Sequence, residues 1–303
     1  MNGLYMGALL AVLLWSGNFV AIKLALGWVD PILLTALRFG LVALLVPFVG
    51  WARAVPPRVL IIYAATSCLG QYLLSTMAIW LGLSVGITAF VMQTQVFFSI
   101  GLACWVGHER LRTTTIVGTV LAFTGLALVM LTGKGNVTVA GFLVCLVAAA
   151  CWSVAGLVLR IHQVSDIFQL QASSAAIAFP ITLACSLLLE SRHYDAARIE
   201  AEPFVFVSTL FYSTWLSFAL AQTLWGRAIQ GLGLSVVSPL SMLVPVLGLG
   251  LARFALGERY SFGLLASVAL VLVGLAFHFV PLLREDEASS AAGVHPAGQA
   301  GPQ

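Results

Sequence analysis

Apolar runs of about 20 residues, the length a helix needs to cross the hydrocarbon core of a bilayer, follow one another along almost the whole chain. Cut at glycines, prolines and short charged clusters, they fall at roughly 3–25, 32–51, 58–80, 84–106, 112–132, 138–160, 168–189, 204–227, 235–256 and 261–283. Barrel strands would be about ten residues long with alternating polarity, so this continuity predicts helices. The expected fold is all-α and integral to the membrane, with ten transmembrane helices. Leu4 to Leu14 resembles the apolar part of a secretory leader. It lacks a basic segment before it and a small-residue cleavage site, and the apolar run continues past Val20, so it is expected to remain as the first span.

The pattern repeats itself. Gly82-Leu83, Gly101-Leu102-Ala103, Glu109-Arg110, Leu121 and Gly125-Leu126-Ala127 recur 149 positions later as Gly231-Leu232, Gly250-Leu251-Ala252, Glu258-Arg259, Leu270 and Gly274-Leu275-Ala276. Trp15-Ser16 with Lys23 recurs as Trp152-Ser153 with Arg160 at an offset of 137, and the difference of 12 matches a polar insert, Glu190 to Glu202, that the first half lacks. Five spans per half is an odd number, so the second half enters the membrane from the opposite side. Two inverted five-helix repeats are therefore expected, at residues 1–133 and 134–284, with residues 285–303 as a disordered tail rich in Ala, Gly, Ser and Pro. A membrane-embedded duplication is the usual mark of a secondary transporter whose halves rock about a central site. Loop Lys and Arg residues number seven on the side of the N-terminus and four on the other, which predicts both termini in the cytoplasm.

Composition narrows the function. With 61% hydrophobic and 8% charged residues, the chain departs from soluble domains, of which about 25% is charged. No basic stripe interleaves with aromatics, so nucleic acid is not expected as a partner. The five cysteines (Cys68, Cys104, Cys145, Cys151, Cys185) lie in apolar runs without CxxC spacing, which argues against a disulfide framework and a metal site. All eleven acidic residues fall in loops, turns or the tail. Proton relays commonly rest on buried Asp, Glu or His, and here only His278 and His162 offer themselves. The same lack of a polar cluster argues against an intramembrane enzyme and against any cofactor.

A few polar groups do enter the spans. Arg38 lies about two helical turns past Pro31, and its counterpart at the 137 offset is Ala175, so this charge breaks the internal symmetry. A guanidinium fork suits a substrate carboxylate or phosphate; anchoring at the interface is the alternative. Lys23, near the end of span one, is a second cation that would meet the same cavity or anchor a helix end. Tyr63, Ser67, Gln71 and Ser75 step by four along span three. Gln93 and Gln95 on span four and Gln222 on span eight add amides that are costly against lipid. These faces are expected to point inward, as a wet substrate cavity or as hydrogen-bonding contacts between helices. On span nine, Pro239 and Pro245 deprive the carbonyls of Ser235 and Ser241 of their helical donors, which makes Ser238 and Pro245 candidates for the cavity or for a bend. Trp15 and Trp152 are expected to wall the cavity or pack in the core, whereas Trp28 and Trp51 suit the interfacial belt. Gly101, Gly118, Gly125, Gly248, Gly250 and Gly274 are expected to let helices approach closely.

The repeat, the WSGNFVAIK opening (Trp15 to Lys23, with Asn18 inside it), the LRF at Leu37 to Phe39 and the two ER turns resemble the EamA domains of the drug/metabolite transporter superfamily. QTQVFF (Gln93 to Phe98) and SPLSMLVPVLGL (Ser238 to Leu249) are most similar to its O-acetylserine/cysteine exporter branch. The resemblance implies an inner-membrane, multi-pass exporter of amino acids or related small metabolites, with spans four and nine lining a cavity between the halves. Multidrug or cationic-compound efflux is the alternative within transport. The partners expected are a small-molecule substrate and the lipid bilayer, with a homodimer as a candidate assembly. The candidate substrate-binding residues are Trp15, Asn18, Arg38, Gln71, Gln93, Gln95, Trp152, Gln222, Ser238 and Pro245.

Overall fold

The structure is a computed structural model whose backbone is described for residues 2–107, 113–133, 135–162, 164, 166–190, 194–232 and 237–291; the side chains of residues 2, 103, 104, 106, 107, 115, 160, 230, 238, 239 and 278–291 lie outside that description. Among the described residues it is all-helical, with one isolated antiparallel bridge between Val29 and Tyr194. Seven helices are long and apolar enough to cross a membrane: Gly3–Ala25, Pro31–Val49, Pro57–Trp80, Val85–Leu102, Val139–Leu159, Ile167–Leu189 and Pro203–Ile229. Three shorter apolar stretches, Ile116–Thr132, Leu240–Leu256 and Phe262–Phe277, accompany them.

We number the helices α1 (Asn2–Ala25), α2 (Pro31–Ala43, extended by the turn Val46–Val49), α3 (Pro57–Trp80), α4 (85–107), α5 (Thr113–Thr132), α6 (Val139–His162), α7 (Ile167–Leu189), α8 (203–232), α9 (238–256) and α10 (Phe262–Ala291). Prolines open several of them, at Pro31, Pro57 and Pro203, where a missing N–H is harmless and the fixed φ suits the first turn. The last helix continues to Ala291, into the expected tail. Leu, Arg, Glu and Ala are strong helix formers, and Leu282 to Ala288 supplies all four types.

Four helices depart from α geometry, and they do so in repeat-equivalent pairs. The middle of α3 is π-helical over Ala64–Leu73, and the middle of α8 over Tyr212–Leu220; adding 149 to the first range gives 213–222. A 3₁₀ turn interrupts α4 at Met92–Thr94, and another, Ser238–Met242, precedes the α-helical part of α9 at Leu243–Leu256. Such irregular turns are frequent at functional sites.

Glycines set some of the close approaches. A Cβ on Gly118 of α5 would lie 2.5 Å from the Gly274 carbonyl of α10, so these two helices meet backbone to backbone. Gly101 and Gly250, by contrast, face open space and serve no close contact. Gly101 instead lines an apolar cavity of about 300 Å³ with Phe97, Phe98, Leu102, Ala150 and Val154.

Carboxylates close one end of the bundle. Glu258, after α9, accepts from the backbone N–H of Val85 at 2.7 Å and of Gly86 at 3.3 Å, while Tyr260 donates to it at 2.5 Å. Glu190, after α7, likewise accepts from Ile32 at 2.6 Å and Leu33 at 2.9 Å, and from the Ser186 hydroxyl at 2.6 Å. Each carboxylate thus satisfies the free N–H groups of a helix from the other half of the chain. Burial, and then the Glu258 carboxylate beside it, push the Tyr260 hydroxyl far above its usual range, so it remains a donor through the physiological pH range. Glu109-Arg110, the repeat counterpart of the Glu258 turn, lies outside the described residues.

The polar insert also folds onto this end. The Asp195 N–H donates to the Trp28 carbonyl at 2.7 Å, Arg198 Nη1 donates to the Gly27 carbonyl at 2.9 Å, and the Arg198 guanidinium stands over the Trp28 ring at 5.5 Å. Trp28 is consequently buried rather than interfacial, because a short helix, Ala196–Ala201, carries Arg198 across it. Trp51 is exposed, as a belt residue would be.

Replacing Glu258 with Ala strands two helix-terminal N–H groups and is expected to cost about 1–2 kcal/mol of stability. Thermal unfolding in detergent should show a clear drop in midpoint for Glu258→Ala and a smaller one for Tyr260→Phe. An unchanged midpoint for both would remove this contact from the structural account.

Candidate functional site

Among the described residues, two groups of buried polar side chains hold most of the expected candidates. The first is built by α1, α2, α3 and α8 around Arg38, which is 2% exposed. Its Nη2 donates to the Ser213 carbonyl at 3.0 Å and to Asn18 Oδ1 at 3.4 Å, while Nε and Nη1 are buried without a partner. The guanidinium carbon lies 5.5 Å from the centre of the Tyr72 ring, within cation–π range. Tyr72 in turn packs against Phe218 at 4.8 Å and Phe39 at 6.5 Å, and Gln222 Nε2 donates to its hydroxyl at 3.0 Å. Gln71 is buried next to it, with Oε1 unpartnered. Two of the expected candidates, Asn18 and Gln222, therefore hold Arg38 and Tyr72 respectively.

The second group belongs to α4, α6 and α9. Pro245 removes the helical donor for the Ser241 carbonyl, and Gln93 Nε2 donates to that carbonyl instead. Gln95 Nε2 reaches Gln93 Oε1 at 3.5 Å, the outer limit of a hydrogen bond. Ser238 belongs to the 3₁₀ turn, but its side chain, like that of Pro239, lies outside the described residues, as do Ser235 and the His278 side chain.

The two groups are joined through the Trp-Ser pairs. Trp15 and Trp152 meet edge to face at 6.1 Å, and Trp225 packs on Trp15 at 5.1 Å. Trp15 Nε1 donates to the Ser217 carbonyl at 3.2 Å, one turn along α8 from the carbonyl that Arg38 holds. Ser16 donates to the Val244 carbonyl of α9 at 3.3 Å, and Ser153 to the Gln95 carbonyl of α4 at 2.7 Å. The two acceptors are 149 positions apart, so one contact is the repeat image of the other.

Tyr72, Trp225 and the two serines were not among the expected residues. Counting every fourth residue along span three selects Tyr63, Ser67, Gln71 and Ser75, and all four are buried. The π-helical segment has more than four residues per turn, so it rotates the next residue, Tyr72, toward Arg38. Lys23 does not join Arg38: it is exposed and lines a polar pocket of about 430 Å³ at the capped end, with Ser84, Asn136, Glu258 and Arg259. The Arg38 centre is closed by contrast, with Asn18 and Gln71 each 6% exposed.

The duplicated helices agree with comparisons to known proteins. The model of the EamA-like transporter family matches twice, at residues 3–131 and 139–280. The chain belongs to the EamA-like transporter family. It is a multi-pass membrane protein. This EamA chain is 33% identical over 275 residues to a Salmonella typhimurium protein named "probable amino-acid metabolite efflux pump", covering 88% of this chain and 92% of that one. An Escherichia coli K12 protein of the same name is 30% identical over the same shares of both chains. A solved crystal structure superposes with a TM-score of 0.65 at 21% identity, over 93% of this chain and 97% of the other, which shows a shared fold.

The Gln93–Ser241 contact is open to a double-mutant cycle. Gln93→Leu removes a donor from the part-buried Ser241 carbonyl and is expected to destabilise the EamA chain by about 1 kcal/mol. Pro245→Ala restores a main-chain N–H at that position, so Gln93→Leu should cost less in its presence. Equal costs in both backgrounds, measured by thermal unfolding, would show that the carbonyl does not depend on Gln93.

Proposed function

We propose that this chain is a secondary transporter that exports amino acids or related small metabolites, cysteine- and O-acetylserine-like compounds among them, across the inner membrane by alternating access. The observation that carries this reading is Arg38: a cation 2% exposed, with two nitrogens unpartnered, in spans whose sequence contains no carboxylate. An orphaned buried charge is costly, and a substrate carboxylate supplies both the missing counter-charge and the missing acceptors. The name shared by the two bacterial relatives supports the same substrate class.

All ten apolar helices cross the membrane in this reading, as an inverted pair of five-helix units at 1–133 and 134–284 with both termini in the cytoplasm. The paired π segments, the paired 3₁₀ turns and the matching serine contacts support equivalence of the halves. The Glu258 and Glu190 caps then lie on the non-cytoplasmic side. Opening toward that side requires the halves to part there, so the caps are contacts that the transport cycle loosens.

The test is a tolerance screen. Cells overexpressing the chain, or Arg38→Ala at matched membrane abundance, are challenged with toxic concentrations of single amino acids, their analogues and cationic dyes. Protection against an amino acid that drops about tenfold or more in Arg38→Ala is the expected result, the size set by loss of a charge-assisted contact. Full protection by the variant would return Arg38 to a structural role, and protection against dyes alone would overturn metabolite export.

A further inference from the structure

Arg38 is not the only buried group near the centre with unmet hydrogen-bonding capacity. Gln71 Oε1 and Thr214 Oγ1 are buried without a partner, in side chains 6% and 0% exposed. Both flank residues that touch the guanidinium. Gln71 precedes Tyr72, whose ring lies 5.5 Å from the guanidinium carbon, and Thr214 follows Ser213, whose carbonyl accepts from Nη2 at 3.0 Å. Thr214 also stands four residues before Phe218, which packs on Tyr72 at 4.8 Å. The two orphans lie in the two π-helical segments.

The chemistry of these atoms is complementary. Guanidinium nitrogens only donate, an amide oxygen only accepts, and a threonine hydroxyl does either. Buried polar groups are ordinarily paired, so unmet donors on Arg38 and unmet acceptors on residues next in sequence to its contacts suit a ligand that carries both charges. We propose that Gln71 Oε1 and Thr214 Oγ1 receive a substrate ammonium group while Arg38 binds its carboxylate, so that the site selects zwitterions over simple carboxylates and simple amines. This rests on the export reading and adds the groups that discriminate within it. An amine without a carboxylate meets the Arg38 charge unscreened and is repelled. A carboxylate without an amine leaves both acceptors stranded, and sites built around such bonds reject analogues that lack them.

The test is counterflow into proteoliposomes containing the full chain, using L-cysteine, 3-mercaptopropionate (no ammonium) and cysteamine (no carboxylate). L-Serine, 3-hydroxypropionate and ethanolamine form a parallel series. Zwitterions are expected to exchange at least about tenfold faster than either half-molecule. In Thr214→Val with Gln71→Leu, the advantage over the bare carboxylate should fall to about twofold, whereas Thr214→Ser, which keeps the hydroxyl, should behave as the parent. Equal exchange of cysteine and 3-mercaptopropionate, or full discrimination in the double variant at normal monodispersity, would overturn the acceptor assignment and leave carboxylate binding by Arg38 standing. No saturable exchange of any carboxylate probe would overturn the export reading itself.

Discussion

Two serine hydroxyls hold the halves of this molecule across one another. Ser16 of the first repeat bonds the Val244 carbonyl of α9, and Ser153 of the second bonds the Gln95 carbonyl of α4. Each hydroxyl has a single proton, which it shares with the carbonyl four residues back on its own helix, at 2.7 Å from Ser16 and 3.0 Å from Ser153. Such interhelical bonds are worth about 0.6–2 kcal/mol each in a membrane, modest alone. They neighbour the Trp15–Trp152 contact and join α1 to α9 and α6 to α4. The repeats are therefore interlocked at the centre rather than two bundles laid side by side.

The irregular helices follow from that arrangement. Where α4 and α9 lose regular hydrogen bonds, at Met92–Thr94 and Ser238–Met242, side chains from the other half supply partners, as Gln93 does for Ser241. Where α3 and α8 widen into π turns, Tyr72 and the Ser213 carbonyl stand against Arg38. Non-helical backbone at membrane depth is tolerated when protein or a polar cavity surrounds it, and these four segments meet that condition. Arg38 is the point at which equivalence fails. Its counterpart, Ala175, is a fully buried methyl in an apolar cluster with Phe39, Cys68 and Phe218, so one half carries the charge and the other frames it.

The capped end obeys a different rule. There the polar groups are not hidden in the bundle but pinned to helix ends: Glu258 to Val85 and Gly86, Glu190 to Ile32 and Leu33. Both contacts run from the second half to the first. They hold this face together through a handful of polar bonds, a kind of contact that exchanges readily with water, whereas Gly118 and Gly274 lock α5 to α10 through close backbone packing.

Much of this was legible in the sequence, because the constraints behind it are local or one-dimensional. The apolar run lengths defined the helices, the 149-residue offset defined the duplication, and Pro245 identified the Ser241 carbonyl as one in need of a partner. The symmetry-breaking Arg38 could be read from the companion offset of 137, at which Ala175 stands. The tertiary structure alone decided which partners meet. It gave the Ser241 carbonyl to Gln93, sent Lys23 to the capped end instead of to Arg38, turned Tyr72 inward through a π segment, and folded the 190–202 insert over Trp28. None of these follows from spacing. Each depends on which helix of the other half lies opposite, and hydrophobic periodicity is silent on that, since in an apolar slab every face of a span is acceptable until a specific neighbour satisfies its polar groups.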